Sequence, residues 1–228
     1  PAAVREAFRA AGLSHALAAS GFHLTVLLGA VMVVGRSAGK PLRWGLALGA
    51  MALFLLLAGP QPSVVRAVAM GALAFVVQES GRRVKPLGML LLCTLLMLLA
   101  APAWLLDVGF QLSVAATAGL LISAGRFEEG LRRHLPGWAA AAIAVALAAS
   151  LWTLPLQLHH FGVVPLYAVP ANLLAAPLLT PLTLAAMALA LVSLILPPLL
   201  GPLLLAINPV AELLLRIAAW FAGLPQAQ

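Results

Sequence analysis

Two charged side chains lie where an otherwise apolar sequence should enter a lipid bilayer. Arg66 follows Pro62 by about one helical turn, and Asp107 opens a later apolar stretch, with Gln111 four residues after it. An arginine in hydrocarbon costs at least about 2.5 kcal/mol even on insertion scales, so Arg66 must face a partner or water. We therefore expect an Arg66–Asp107 ion pair. The alternative is that Arg66 snorkels to the interface while Asp107 caps its helix.

Histidines and a serine add to these polar groups. His15, Ser20 and His23 lie in the first apolar stretch, and His159 and His160 end a later one. We expect His15 and His23 to make hydrogen-bonded helix contacts and not to bind a metal. The adjacent pair makes a poor chelate, because neighbouring side chains of a helix point in different directions.

Catalysis by Ser20 is a remote alternative. The nucleophile of intramembrane serine proteases precedes a glycine, as Ser20 does, but those enzymes have glycine where Ala18 stands and take their base from another helix. Here His15 and His23 share the apolar stretch of Ser20. No H-E-x-x-H occurs, and the carboxylates include no pair inside a span. The sequence thus predicts no catalytic residue, no metal site and no cofactor.

The elements that carry these side chains are membrane-spanning helices. The chain has 64% apolar residues, 8% charged residues and a mean hydropathy of +1.10, against about 25% charged residues in soluble domains. Its apolar stretches are long enough to cross about 30 Å of hydrocarbon. We predict an all-α, polytopic transmembrane helix bundle of about eight spans, and a bilayer as its surroundings. The predicted spans are Leu13–Val34, Leu42–Ala58, Ser63–Glu79, Pro86–Ala100, Trp104–Ala124, Trp138–His159, Leu178–Leu196 and Leu199–Ala222.

Prolines interrupt the apolar pattern near residues 163–181. Pro165, Pro170, Pro177 and Pro181 each remove a backbone donor, which kinks or ends a helix. We expect a broken or re-entrant segment here. Irregular backbone at membrane depth is tolerated only inside protein or beside water, so this segment should not face lipid.

Basic residues occupy every second connection between the predicted spans. The connections between them, near 59–62, 101–103 and 160–164, carry no lysine or arginine. By the positive-inside rule the basic connections are cytoplasmic and the N-terminus lies outside, which puts the polar residues above in the outer half of the membrane. The basic residues are Arg36, Lys40, Arg43, Arg82, Arg83, Lys85, Arg126, Arg132 and Arg133.

Ordered motifs along nearly the whole chain resemble the ComEC competence proteins. The stretch from Gly12 to Leu24 is similar to that family's G-L-x-H, A-x-S-G and H signature, and the stretches 62–70 and 107–113 resemble its P-S-x-x-R-A-x-x-M and D-x-G-F-Q-L-S motifs. Later signposts also agree, namely Leu154-Pro155, His160-Phe161-Gly162 and Asn172-Leu173-Leu174-Ala175-Ala176-Pro177. Departures are mild, such as Ala19 and Phe22 where isoleucine and leucine are common.

The resemblance implies a channel domain that conducts single-stranded DNA across the bacterial cytoplasmic (inner) membrane in natural transformation. It also implies that residues 1–228 form one transmembrane competence domain, excised from a longer protein with extracytoplasmic domains. No nucleotide site is recognisable here, so transport would depend on a cytoplasmic ATPase as partner or on condensation of the incoming DNA, and an oligomer is compatible with the pattern. The predicted site, called the polar cluster below, comprises His15, Ser20, His23, Arg66, Asp107, Gln111, His160 and Asn172.

A small-solute or ion transporter is the main alternative function. Secondary transporters place their substrate sites at interrupted helices, which the proline-rich segment resembles. The first half of the chain contains no inverted counterpart of that segment, and this counts against the alternative.

Overall fold

The computed structural model describes residues 2–17, 20–37, 39–81, 85–162 and 164–225, and these residues form helices joined by short connections. The described part contains no strand, so the all-α prediction is confirmed. The helices are α1 (Ala2–Ala10), α2 (Ser14–Leu17), α3 (Gly21–Val34), α4 (Lys40–Ala58), α5 (Pro62–Glu79), α6 (Pro86–Ala100), α7 (Val108–Gly119), α8 (Gly125–Leu131), α9 (Gly137–Phe161), α10 (Ala168–Ile195) and α11 (Leu200–Ala222).

Eight apolar helical segments are candidates for the predicted membrane bundle. Five described segments are long and apolar enough to cross a membrane, and α3, α5 and α6 are shorter apolar helices. Proline at the first or second helical position starts α4, α5 and α6, where its missing N–H costs nothing. The chain is therefore a multi-pass helical membrane protein. The five long segments are Lys40–Ala58, Val108–Leu131, Gly137–Phe161, Ala168–Ala190 and Leu200–Ala222.

The first predicted span is divided, so its prediction as one helix from 13 to 34 is wrong. The short helix α2 ends at Leu17, and α3 begins only at Gly21, after Ser20 in an extended conformation. Ala18 and Ala19 lie outside the described residues. Ser20 occupies the N-cap position of α3, and its side chain does not cap the helix. At 14 residues α3 is about 21 Å long, shorter than the hydrocarbon layer.

A π-helical turn joins α7 to α8 at Leu120–Ala124, and one continuous helix runs from Val108 to Leu131. The predicted span, Trp104–Ala124, started and ended earlier than this helix. The observed helix starts later because Pro102–Leu106 form a 3₁₀ turn and Asp107 is the N-cap residue of α7. It ends later because Arg126 and two glutamates continue the helix beyond the apolar stretch.

The predicted break near 163–181 is limited to the start of the proline-rich segment, where residues 164–167 around Pro165 are not helical. Val163 lies outside the described residues, and from Ala168 onwards α10 is one helix of 28 residues with Pro177 and Pro181 inside it. Each proline removes one helical hydrogen bond, at about 3 kcal/mol. The helix nevertheless continues through both prolines, and it buries Ala171, Ala175 and Leu179 in a core.

The chain divides into two compact units. The first comprises the described parts of Pro1–Ala18, Glu128–Leu147 and Gly162–Gln228, and the second comprises those of Ala19–Phe127 and Ala148–Phe161. In the first unit α1 packs on α11, and α10 packs on α11. In the second, α3, α4, α5, α6 and α7 pack on their neighbours. The core of the first unit consists of Phe8, Ala11, Leu13, Ala171, Ala175, Leu179, Leu214, Ala218 and Phe221.

Candidate polar site in the membrane helices

Arg66 is buried inside the second unit and bonds to uncharged partners. Its side chain is 6% exposed, its Nε donates to Ser113 Oγ at 2.9 Å, and its Nη1 donates to Met70 Sδ at 3.2 Å. A thioether is a weak acceptor, so Ser113 on α7 is the main partner. No described carboxylate lies within ion-pairing distance of the guanidinium. The desolvated positive charge of Arg66 is thus not neutralised by a described side chain.

The predicted Arg66–Asp107 ion pair is wrong. Asp107 is exposed, and its Oδ1 accepts a hydrogen bond of 2.7 Å from the backbone N–H of Phe110, at the start of α7. A carboxylate at an N-cap satisfies an orphan amide and complements the helix dipole, which is why Asp107 binds locally. Snorkelling of Arg66 is excluded too, since its side chain is buried. A Cβ at Gly109 would lie 3.1 Å from Asp107 Oδ1, so glycine leaves room for this cap.

Gln111 links α7 to α9. Its Nε2 donates to the carbonyl of Leu105 at 2.8 Å, and its Oε1 lies 2.9 Å from His160 Nε2. An amide oxygen only accepts, so this hydrogen bond places the proton of His160 on Nε2. The contact joins two members of the polar cluster that are 49 residues apart.

The start of α3 lies beside Arg66. Ser20 Oγ and His23 Nδ1 are 3.0 Å apart, and the N-cap side chain of Ser20 makes no hydrogen bond to the backbone of α3. A Cβ at Gly21 would lie 3.5 Å from Arg66 Nη2. The positive end of the α3 dipole and the buried guanidinium are therefore neighbours.

Two members of the polar cluster belong to the first unit. Asn172 Nδ2 donates to the carbonyl of Ala168 at 2.7 Å and to that of Gly12 at 3.4 Å. Gly12 has φ +71°, and a Cβ there would lie 2.6 Å from Ala168 Cβ, so only glycine fits. His15 is exposed on α2. Asn172 thus binds backbone in this structure, and the convergence of all eight residues stays a prediction.

A contact between α7 and α9 is not predicted by the sequence pattern. Trp152 Nε1 donates to Ser123 Oγ at 2.9 Å, within the π-helical turn. A Cβ at Gly119 would lie 2.6 Å from Trp152 Cγ and 2.8 Å from the carbonyl of Ala148. Gly119 and Ser123 are four residues apart on one helix face, and this spacing is the only signal that the sequence offered. The role of Ser113 as the partner of Arg66 had a clearer signal in the sequence, because Ser113 lies two residues after the predicted site residue Gln111.

Comparison with known proteins gives a family for the whole chain. A family model described as "Competence protein" matches residues 1–228. The chain is 30% identical over 179 residues to ComE operon protein 3 of Bacillus subtilis (strain 168), an alignment that covers 78% of the chain and 22% of that protein. The match therefore spans about a fifth of the length of this relative. No solved structure matches the chain.

Proposed function

Because the chain belongs to the Competence protein family, we propose that it is a transmembrane channel domain for DNA uptake. In this proposal it conducts single-stranded DNA across the cytoplasmic membrane during natural transformation, with its N-terminus outside. The polar cluster forms the outer mouth of the path. Extracytoplasmic domains of the same protein and a cytoplasmic ATPase are the partners that this function implies.

The uncompensated charge of Arg66 is the observation that carries the proposal. A buried guanidinium without a carboxylate raises the affinity of its surroundings for an anion, and a helix N-terminus does the same. Arg66 and the start of α3 combine the two effects at one place. A phosphate of a passing strand is an anion that both groups attract.

The weakness of this attraction suits a conduit. One cation that neutralises one phosphate gives a salt slope of about 0.7 for a single strand, which is a shallow dependence. Phe22 is 40% exposed at the start of α3, and an aromatic face can stack any base. A path with one phosphate contact and sequence-tolerant stacking holds a strand briefly, and translocation requires such brief binding.

Substitution of Arg66 in the full-length protein tests the proposal. We expect Arg66→Gln to lower entry of labelled DNA into the cytoplasm by at least about tenfold, because a charge-assisted hydrogen bond is worth about 1.5–3 kcal/mol. Arg66→Lys should retain part of the uptake, because it keeps the charge. The matched control is Arg132→Gln, which removes an exposed arginine that pairs with Glu128 and should leave uptake unchanged.

Protein levels and membrane insertion are measured for each variant. Ser113→Ala provides a second test, since it removes the main partner of Arg66 while keeping the charge, and we expect a smaller loss of uptake. Normal uptake in Arg66→Gln would contradict the proposal. Flux of small solutes in vesicles, independent of DNA, would favour the transporter alternative, whose supporting break in α10 is absent.

The Ser20–His23 contact supplies one feature that the serine hydrolase alternative requires, a serine hydroxyl within hydrogen-bond distance of a histidine that could act as base. A nucleophilic serine also needs its base to be oriented by a third group. Within the described residues, no hydrogen bond reaches the other ring nitrogen of His23. Labelling by a serine-reactive probe that disappears in Ser20→Ala would support this alternative, and the absence of labelling would reject it.

A further inference from the structure

A ladder of polar side chains runs along α11 in the first unit. Asn208 Nδ2 donates to Glu212 Oε1 at 3.0 Å, and Arg216 Nη2 lies 3.8 Å from Glu212 Oε2. The three residues are four positions apart, so they share one side of the helix. The side chains of Arg216 and Glu212 are 80% and 52% exposed. The ladder therefore lies on the surface of the chain.

The position of this ladder is unfavourable for contact with lipid. The candidate span Leu200–Ala222 has 23 residues and is about 34 Å long. Glu212 is about 18 Å from its start, close to the middle of the hydrocarbon layer. An ionised side chain at that depth costs about 2.5–3.5 kcal/mol on insertion scales, and such residues almost always face a bundle interior or water.

The ladder points away from the core of its own unit. Leu214, Ala218 and Phe221 are the residues of α11 that are buried in that core. At 100° per residue, Glu212 and Arg216 lie on the opposite side of the helix. The core of the first unit consequently does not supply the surroundings that the ladder requires.

Pro209 adds a second polar feature to the same side. Proline has no N–H, so the carbonyl of Leu205 receives no helical hydrogen bond from position 209. Leu205 is 75% exposed and lies between Asn208 and Arg216 in angle around the helix. An unpaired carbonyl in hydrocarbon costs several kcal/mol, and water can satisfy it.

We propose that the side of α11 carrying Asn208, Glu212 and Arg216, called the α11 polar face, borders a water-filled path. Around its three polar side chains this face carries the exposed Leu204, Leu205 and Leu215. Glu212 is already paired within its own helix, so the face needs no charged partner. The amide, carboxylate and guanidinium groups of the face can hydrogen-bond a hydrated, hydrophilic solute. The identification of that solute as a DNA strand rests on the proposed function.

Cysteine labelling in the full-length protein tests the wetting of this face without DNA. In a Cys93→Ser background, Leu205→Cys and Leu215→Cys place a thiol on the α11 polar face and leave the ladder intact. The controls are Leu213→Cys, at the depth of Glu212 but off the face, and Leu48→Cys in the middle of α4. Leu213 is 49% exposed and Leu48 is 50% exposed. We expect a membrane-impermeant thiol reagent to label the first pair at least about tenfold faster than the controls, because the reagent reaches only wetted positions and apolar surroundings suppress the reactive thiolate.

Equal, slow labelling of all four variants would overturn the proposal, because the face would then lie in lipid. Fast labelling of Leu213→Cys as well would overturn it by placing α11 at the membrane surface. A disulfide between two copies through Leu205→Cys or Leu215→Cys, with no reagent labelling, would make the face a dimer contact. If a single-stranded oligonucleotide in transit slows the labelling, the result would support a nucleic acid as the solute. Labelling that DNA leaves unchanged would keep the path and count against the proposed function.

Discussion

At the scale of single residues, neutral partners surround the charge of Arg66. Its sequence position predicted that Arg66 needs a polar contact, and this holds, but the contact is Ser113 and not Asp107. The choice between these two residues depends on where α7 begins, which apolar length alone does not predict. Asp107 precedes the first helical residue and binds the backbone there, whereas Ser113 faces α5.

Gly119 is the residue whose substitution should cost most in the α7–α9 contact. We expect Gly119→Ala to lower the free energy of unfolding by about 1–3 kcal/mol, because its Cβ would overlap the ring of Trp152 and the carbonyl of Ala148. Thermal or denaturant unfolding of the purified protein in detergent measures the change.

Gly125→Ala is the matched control, six residues further along the same continuous helix. A Cβ there meets nothing within 4 Å, so this variant should be neutral or more stable by up to about 1 kcal/mol. Equal destabilisation of both variants would mean that Trp152 does not pack against Gly119 in the membrane.

At the scale of elements, the sequence predicted which stretches are helical better than where they end. Apolar length located α4, α5, α6, α7, α9, α10 and α11, because a bilayer requires it, whereas the charged α8 fell outside every predicted span. Breaks depended on other forces. Pro177 and Pro181 lie inside the continuous helix α10 and do not break it. The interruption between α2 and α3 lies instead in an apolar stretch that contains no proline.

The π-helical turn at Leu120–Ala124 should tolerate the loss of one residue. A π turn holds one residue more than an α turn, so deletion of Ile122 can restore α geometry and keep Gln111 and Ser113 on their partners. We expect the deletion variant to insert, to remain monodisperse in detergent and to retain DNA uptake. Size-exclusion profiles and uptake measurements in the full-length protein check this.

Deletion of Ala115, in the regular part of α7, is the control. It rotates the part of the helix after position 115 by about 100° relative to the part before it. Ser113 and Gly119 can then no longer both face their present partners. We expect loss of the folded protein. If deletion of Ile122 is as damaging as deletion of Ala115, then the turn is required as it stands.

At the scale of the whole molecule, the charge pattern predicts the orientation that the proposed function needs. Lys40 and Arg43 begin α4, and Lys85 precedes α6, so these cations lie at helix ends. Arg126 and Arg132 lie in or just after α8. Arg82 and Arg83 lie outside the described residues. Cations at the ends of alternate apolar helices agree with cytoplasmic connections.

Reporter insertions test this orientation. We expect alkaline phosphatase to be active after Gly162 and inactive after Ser37, with the reverse for a fluorescent reporter that matures only in the cytoplasm. An insertion at Pro60 is the control for the outer side and should behave as the one at Gly162 does. Phosphatase activity at Ser37 would reverse the predicted topology and put the polar cluster on the cytoplasmic side.

The first unit joins the earliest residues of the chain to the latest. Phe8 and Leu13 are buried against residues of α10 and α11 that the ribosome adds roughly 160 to 210 residues later. At about 5–20 residues per second, synthesis leaves the amino-terminal segment waiting for about 10 to 40 s. During that interval its apolar side chains need a temporary host, either the bilayer or the insertion machinery. The order of biosynthesis thus makes the synthesis of α10 and α11 the step that completes the first unit.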